Sequence, residues 1–233
     1  MRAAHSMIRA ALFRLLLLAG IALLAAGAQA ARMQVVPDGD AELAEGYAAY
    51  QAGDRARALQ LFRKGAERNH RVAQFNLAVM LLGGEGGGSP DPAGGLQWLR
   101  RSADGGFARA QYALGLLYER GELVQRSLPD ATAWFRKAAE QGYRDAQVSL
   151  ATQYFLGRGA PLDYAEAARW YERAAEQGDE GAAYIIASQY ETGNGVQADT
   201  MRAFYWYSIA AAGGDLVAAM KAREMRERLN RTR

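Results

Sequence analysis

The sequence predicts an all-α fold, a right-handed superhelical solenoid of helix-turn-helix repeats. Trp98, Trp134, Trp170 and Trp206 are all the tryptophans of the chain, and they stand 36 residues apart. Gly106, Gly142, Gly178 and Gly214 keep the same spacing, as do Tyr118, Tyr154 and Tyr190. Between these markers, apolar residues recur at three- and four-residue steps, the period of a helix with one apolar face. A fixed period of roughly 20–50 residues marks stacked supersecondary units. Phe62 falls one period before Trp98 and reads as the aromatic of the same slot.

Residues 1–30 read as an export signal. Arg2, Arg9 and Arg14 give a basic start, Leu15 to Ala26 is an apolar run without charge, and Ala28-Gln29-Ala30 places small residues where a signal peptidase cuts. The 14 residues from Leu15 to Ala28 fall short of a bilayer span, which takes roughly 20. Cleavage after Ala30 is therefore expected, with no stable membrane insertion afterwards. The expected location is the periplasm, or the exterior. Residues 31–38 read as a short mobile lead-in, 39–215 as about five helical hairpins, and 216–233 as a C-terminal capping helix with a basic tail.

Composition narrows the function. The segment 1–30 holds three arginines and no acid, so the rest of the chain balances 25 basic against 25 acidic side chains. No basic face of the kind that binds nucleic acid is expected. The chain has no cysteine. Disulfides, thiol catalysis and iron–sulfur sites are excluded, and packing alone must hold the fold. Neighbouring repeats share their core, so one elongated domain is expected.

Each hairpin can be read in order. In the first helix of the unit 108–143, Ala110, Leu114, Leu117 and Tyr118 lie on one face. Gly115 costs helix propensity, roughly 1 kcal/mol against alanine. It suits a place where another helix comes close, and Ala78, Ala151 and Ala187 hold the matching positions. A glycine-bearing loop follows. Asp91, Ser127, Asp163 and Asp199, each seven residues before a tryptophan, are expected N-caps of the second helix. Pro92 suits the first helical position, and Asp163 with Glu166 has capping-box spacing. The second helix runs through the tryptophan, read as the plug between helices, to small pairs such as Ala138-Ala139. It stops at a glycine such as Gly142, which adopts the left-handed conformation at little cost.

These residues resemble the Sel-1-like repeat family. Residues 182–214 carry its pattern in Ala182, Ile186, Ala187, Tyr190, Gly193, Gly195, Val196, Asp199, Trp206, Ala210, Ala211 and Gly214. Residues 146–178 match nearly as well. The unit 110–142 has Leu123 at the second loop glycine, and the unit 73–106 has the longer loop Gly83 to Ser89. The first hairpin is similar instead to a tetratricopeptide repeat, through Gly46, Tyr50, Gly53-Asp54, Ala58 and Phe62. Ala218 starts a further half-repeat. Arg223 stands at its close-contact position, so Leu216 to about Leu229 is expected to cap the array with a polar outer face.

No catalytic set is legible. His70 is the one histidine after residue 30, too few for a metal cluster. A G-x-S-x-G elbow is missing. The glycine run 83–88 lacks the G-K-[ST] ending of a phosphate loop and reads as a flexible connection. No enzymatic activity, cofactor or metal is expected. Some members of the resembled family were first described with hydrolase activity against β-lactams, but those are cysteine-rich. The resemblance implies binding of a protein or peptide partner through a groove lined by the first helix of each hairpin. Carried onto this sequence, the candidate groove residues are Phe75, Arg109, Tyr112, Glu119, Arg120, Asp145, Phe155, Tyr184 and Glu191. Mixed aromatic and charged linings suit a peptide or a partner helix. The alternative is a cell-envelope polymer, peptidoglycan or another glycan, held by exposed tyrosine side chains.

Overall fold

Asp, Ser and glycine punctuation divides the chain into helices of nearly one length. A computed structural model describes residues 41–231, so the expected signal and lead-in segments lie outside the described residues. Eleven α-helices follow one another: α1 Ala41–Gln51, α2 Arg55–Glu67, α3 Arg71–Gly83, α4 Pro92–Asp104, α5 Ala108–Arg120, α6 Leu128–Glu140, α7 Arg144–Leu156, α8 Tyr164–Glu176, α9 Glu180–Thr192, α10 Thr200–Ala212 and α11 Leu216–Arg231. They make five hairpins, α1–α2 to α9–α10, and a final helix. Where one elongated domain is expected, the chain groups into two compact units that divide between Ala113 and Leu114, within α5.

The expected caps are present. The side chains of Asp91, Ser127, Asp163 and Asp199 each accept a backbone N–H from the first turn of the following helix, and Asp54 does the same for α2. Glu166 does not complete the box and pairs with Arg169. Each later loop closes on a backbone bond from the cap residue to the preceding helix: Ser127 N–H to Tyr118 O at 3.0 Å, Asp163 to Tyr154 O at 3.0 Å and Asp199 to Tyr190 O at 2.9 Å. His70, more than a turn residue, caps α3 by accepting the Ala73 N–H on Nδ1.

The core corrects the sequence reading in one respect. The most deeply buried plug of each hairpin is the residue eight after the N-cap rather than the tryptophan, which joins the core only in the last two hairpins, as Trp170 and Trp206. Phe62, Leu99, Phe135, Tyr171 and Tyr207 all stand eight residues after their N-cap, and none is more than 2% exposed. Trp98 and Trp134 are only partly buried. Their faces carry cations from the next turn, Arg101 at 4.6 Å and Lys137 at 3.7 Å. Arg173 covers the buried Trp170 likewise at 4.6 Å. Phe62 falls into the tryptophan column because the first two N-caps, Asp54 and Asp91, are 37 rather than 36 residues apart. In space it belongs with the plugs.

The close approach expected at Gly115 is real. A Cβ there would lie 2.6 Å from the Phe135 ring, and one on Gly46 would lie 2.7 Å from Phe62. Where the plug is Leu or Tyr, the matching position holds alanine: Ala78, Ala151 and Ala187, all buried.

Three buried glutamines tie one hairpin to the next. Gln74, Gln111 and Gln147 donate from Nε2 to the carbonyls of Ala66, Ala103 and Ala139, at 3.3, 3.1 and 3.3 Å. Each carbonyl belongs to the second residue of the preceding helix's small pair and also accepts a backbone N–H from the turn that follows, Asn69, Gly106 or Gly142 at 3.0, 3.0 and 2.9 Å.

The loops bind repeats as well. Gly86, Gly159 and Gly195 have φ of +95°, +74° and +78°. They approach the first turn of the preceding hairpin's second helix so closely that a Cβ would meet Leu59 at 2.9 Å, Thr132 at 2.6 Å or Tyr164 at 2.7 Å. The run 83–88 is thus seated at Gly86, whereas Gly87 and Gly88 are exposed and meet nothing. Glu85 adds an ion pair to Arg55 at 3.1 Å and accepts from the Tyr50 hydroxyl at 3.3 Å. Leu123, at the matching point of the α5–α6 loop, holds φ of +59° without being glycine.

The final helix packs through Ala218, Ala222 and Met225. Its outer face is not uniformly polar as expected, since Leu216, Val217 and Met220 are exposed in its first turns. Arg223 is exposed and pairs with Glu227 at 3.1 Å.

Candidate functional site

The candidate face is built from the first helices of the hairpins, and each unit presents its own part. In the first unit, Phe75 is a correction. It is buried, with its ring edge-on to Phe107 at 5.4 Å between centroids, so it belongs to the core and lines nothing. Arg109 and Tyr112 are partly buried on α5.

In the second unit, α5, α7 and α9 present equivalent positions 36 residues apart. One row is Glu119, Phe155 and Glu191, and the next is Arg120, Leu156 and Thr192. The first row is largely committed within the fold. Glu119 accepts from Gln153 Nε2 at 2.7 Å. Phe155 packs against Tyr164 and Tyr171 at 5.3 and 6.2 Å between ring centroids.

Glu191 is the most committed residue of the face. Its carboxylate accepts from the Tyr207 hydroxyl at 2.8 Å and from Lys221 Nζ at 3.1 Å, with Arg228 3.4 Å away. Burial, and then the bond to Glu191, push the Tyr207 phenol well above its usual range. The Glu191 carboxylate, ahead of Glu224, holds Lys221 above the usual lysine range. This cluster fastens α11 to α9 and α10. It fills the acceptor capacity that a ligand would need.

Asp145 is partly exposed and lies 3.5 Å from Arg144. Tyr184 is partly buried and meets Tyr207 edge-on at 5.3 Å. Arg120 is exposed, and Leu156 is 51% exposed. The second row is therefore the open one. Leu156 stands 36 residues after Arg120 and so shares its register, but it is not among the candidate residues read from the sequence. The tyrosines of the 36-residue series are mostly inward. Tyr154 and Tyr190 are buried. The hydroxyl of Tyr154 accepts from Arg136 at 2.6 Å, and that of Tyr190 donates to Glu172 at 3.1 Å. Among the described residues no three acidic or histidine side chains group as metal ligands.

The hairpin geometry and its seated loop glycines can now be set against known proteins. A family model described as the Sel1 repeat matches residues 41–70, 71–107, 108–143, 144–179 and 181–215. The chain belongs to the Sel1 repeat family. The first hairpin is included, although its connection between helices has three residues against seven in the last three hairpins. Among solved structures, a Sel1 repeat protein from Oxalobacter formigenes is 32% identical with a TM-score of 0.72, over 78% of this chain and 74% of that one. A protective antigen of uropathogenic Escherichia coli with an SLR fold is 31% identical with the same TM-score, over 88% of this chain. This chain spans 43% of that antigen. It also matches an F-box protein of Arabidopsis thaliana, 33% identical over 76 residues, which is 21% of that protein's length. The fold is the helical array of Sel1 repeats, and such arrays are scaffolds. No described helix is long and apolar enough to cross a membrane.

Proposed function

We propose that this Sel1 repeat protein is a non-enzymatic scaffold of the cell envelope, exported by residues 1–30, that binds a protein or peptide partner. Binding uses the first-helix face of the second unit. The observation that carries the reading is the open row Arg120, Leu156 and Thr192: an apolar side chain, half exposed, flanked by a cation and a hydroxyl. Partly buried Phe155 and Tyr184 border it. An apolar anchor with a polar rim is the usual anatomy of a protein interface. The alternative, a glycan of the envelope held by exposed tyrosines, rests on Tyr205, which is 53% exposed, since Tyr154 and Tyr190 are buried.

The test is crosslinking capture from cell envelope, comparing wild type with the double variant Arg120→Glu, Leu156→Asp. Both residues are exposed, so the melting temperature should not move. Loss of a captured protein in the variant supports the face. Equal capture by both forms rejects it, and sedimentation of both forms with cell-wall sacculi would then favour the polymer. Export is tested separately by fractionation: a precursor that keeps residues 1–30 in the cytoplasm would overturn it.

A further inference from the structure

In the second unit, the loop inside each hairpin brings two distant residues together. The first helix is followed directly by a left-handed glycine, Gly121, Gly157 or Gly193. A Cβ on that glycine would lie 2.9 Å from the Cβ of Arg126, 3.2 Å from that of Leu162 and 3.4 Å from that of Ala198. The residue before each N-cap therefore stands beside the end of the first helix. The open row Arg120, Leu156 and Thr192 gains a parallel row, Arg126, Leu162 and Ala198. All six residues are exposed. Exposure is thus common to the three hairpins, and only the chemistry changes: two guanidiniums, then two leucines, then a hydroxyl and a methyl.

The loop does not require the leucine pair, since its neighbours keep the same glycine contact with arginine or alanine. Leu156 is nevertheless 51% exposed and Leu162 56%. The cations are unpaired as well. Among the described residues no carboxylate pairs with Arg120 or Arg126, and Arg126 gives only its Nε, to the Glu119 carbonyl at 3.0 Å. Arg158, in the loop between the two leucines, is also exposed and without an ion pair. Against these three cations the two loops hold two acids, Glu122 and Asp163, and the Asp163 carboxylate caps α8.

We propose that this edge recognises a protein segment that sets acidic side chains beside apolar ones. The proposal rests on reading the first-helix face as the binding face and adds the chemistry of the partner. Apolar side chains of the segment cover the leucine pair and remove it from water. Each guanidinium offers planar, paired donors that fit a carboxylate better than any neutral group. The cations of α5 and its loop lie to one side of the leucines, and Thr192 and Ala198 lie to the other. The edge therefore has a direction, with the acidic end of the segment toward α5 and its uncharged end toward α9. A basic segment meets unpaired cations and is turned away.

Selection from a displayed library of random short peptides, with the purified protein as bait, tests it. Peptides held by the wild type should carry Asp or Glu next to Leu, Ile, Met or Phe. Synthetic copies should bind about tenfold more weakly to the double variant Leu156→Ser, Leu162→Ser. A similar loss is expected for Arg120→Glu, Arg126→Glu, and a fresh selection on that variant should return Lys or Arg where the acids stood. All four substitutions fall on exposed residues, so both double variants should melt as the wild type does. Peptides that need the leucines but show no acidic preference overturn the inference and leave the face as the binding site. Peptides unaffected by either double variant, or a library that yields no binder, overturn the inference and the binding face together.

Discussion

The hairpins α5–α6 and α9–α10 have the same helix lengths and both cap the second helix with a side-chain oxygen, Ser127 and Asp199, yet they fill their centres differently. In α5–α6 an apolar ring, Phe135, presses on Gly115, where a Cβ would lie 2.6 Å away. In α9–α10 the ring is Tyr207 and the matching position is Ala187. The tyrosine hydroxyl would be costly to bury alone, and Glu191 accepts from it at 2.8 Å. Tyr171 in α7–α8 solves the same need with Thr152 at 2.9 Å. The difference shows that the plug is not a free choice among large residues. A phenylalanine goes with the missing methyl, and a tyrosine goes with a polar partner on the first helix.

The largest effect that sharpens this comparison is expected from Phe135→Ala, at about 3–5 kcal/mol by cavity formation. Trp134→Ala, one residue earlier and partly exposed, should cost distinctly less. Urea denaturation of both variants decides the matter, and equal or reversed losses would return the tryptophan to the centre. Gly115→Ala comes next. Alanine improves helix propensity by roughly 1 kcal/mol, but overpacking against Phe135 should outweigh that gain and leave a net loss of about 1–2 kcal/mol. Adding Phe135→Leu should recover part of the loss, because it recreates the Ala78 and Leu99 pairing. Exchanging the plug chemistry gives a smaller pair of effects. Tyr207→Phe removes one hydrogen bond and should cost about 1–2 kcal/mol, whereas Phe135→Tyr should cost more only if its hydroxyl finds no partner. Chemical denaturation of the two variants side by side reads this directly. The smallest effect is expected in the loops: Leu123→Gly relieves a left-handed non-glycine residue and should stabilise by up to about 1 kcal/mol, seen as a small rise in melting temperature.

Much of the array was legible because its signals are local. Asp163 or Asp199 caps the helix that begins beside it, and Gly142 ends the one just before it. The identity of the plug was hidden by its variety: Leu99, Phe135, Tyr171 and Tyr207 share a position but not a residue type, while the invariant tryptophan beside them draws the eye. Gln74, Gln111 and Gln147 repeat visibly, but a polar residue in a helix reads as solvated until the Ala66, Ala103 and Ala139 carbonyls are seen above it. The candidate face was the least legible part. Its members were placed correctly on the first helices, yet Phe75 turned inward to Phe107, and Glu191 was taken by Tyr207 and Lys221. Those partners come from other helices, and no spacing within one helix announces them.

The seated loop glycines carry an implication for how such a chain changes over generations. Gly86 and Arg55, Gly159 and Leu128, and Gly195 and Tyr164 are each 31 residues apart. The packing partner of each of these three turns thus lies less than one sequence period behind it. A recombination event that removes or duplicates one whole period, at whatever point it cuts, hands each turn a neighbour of the same kind. Internal changes of array length therefore heal at the joint.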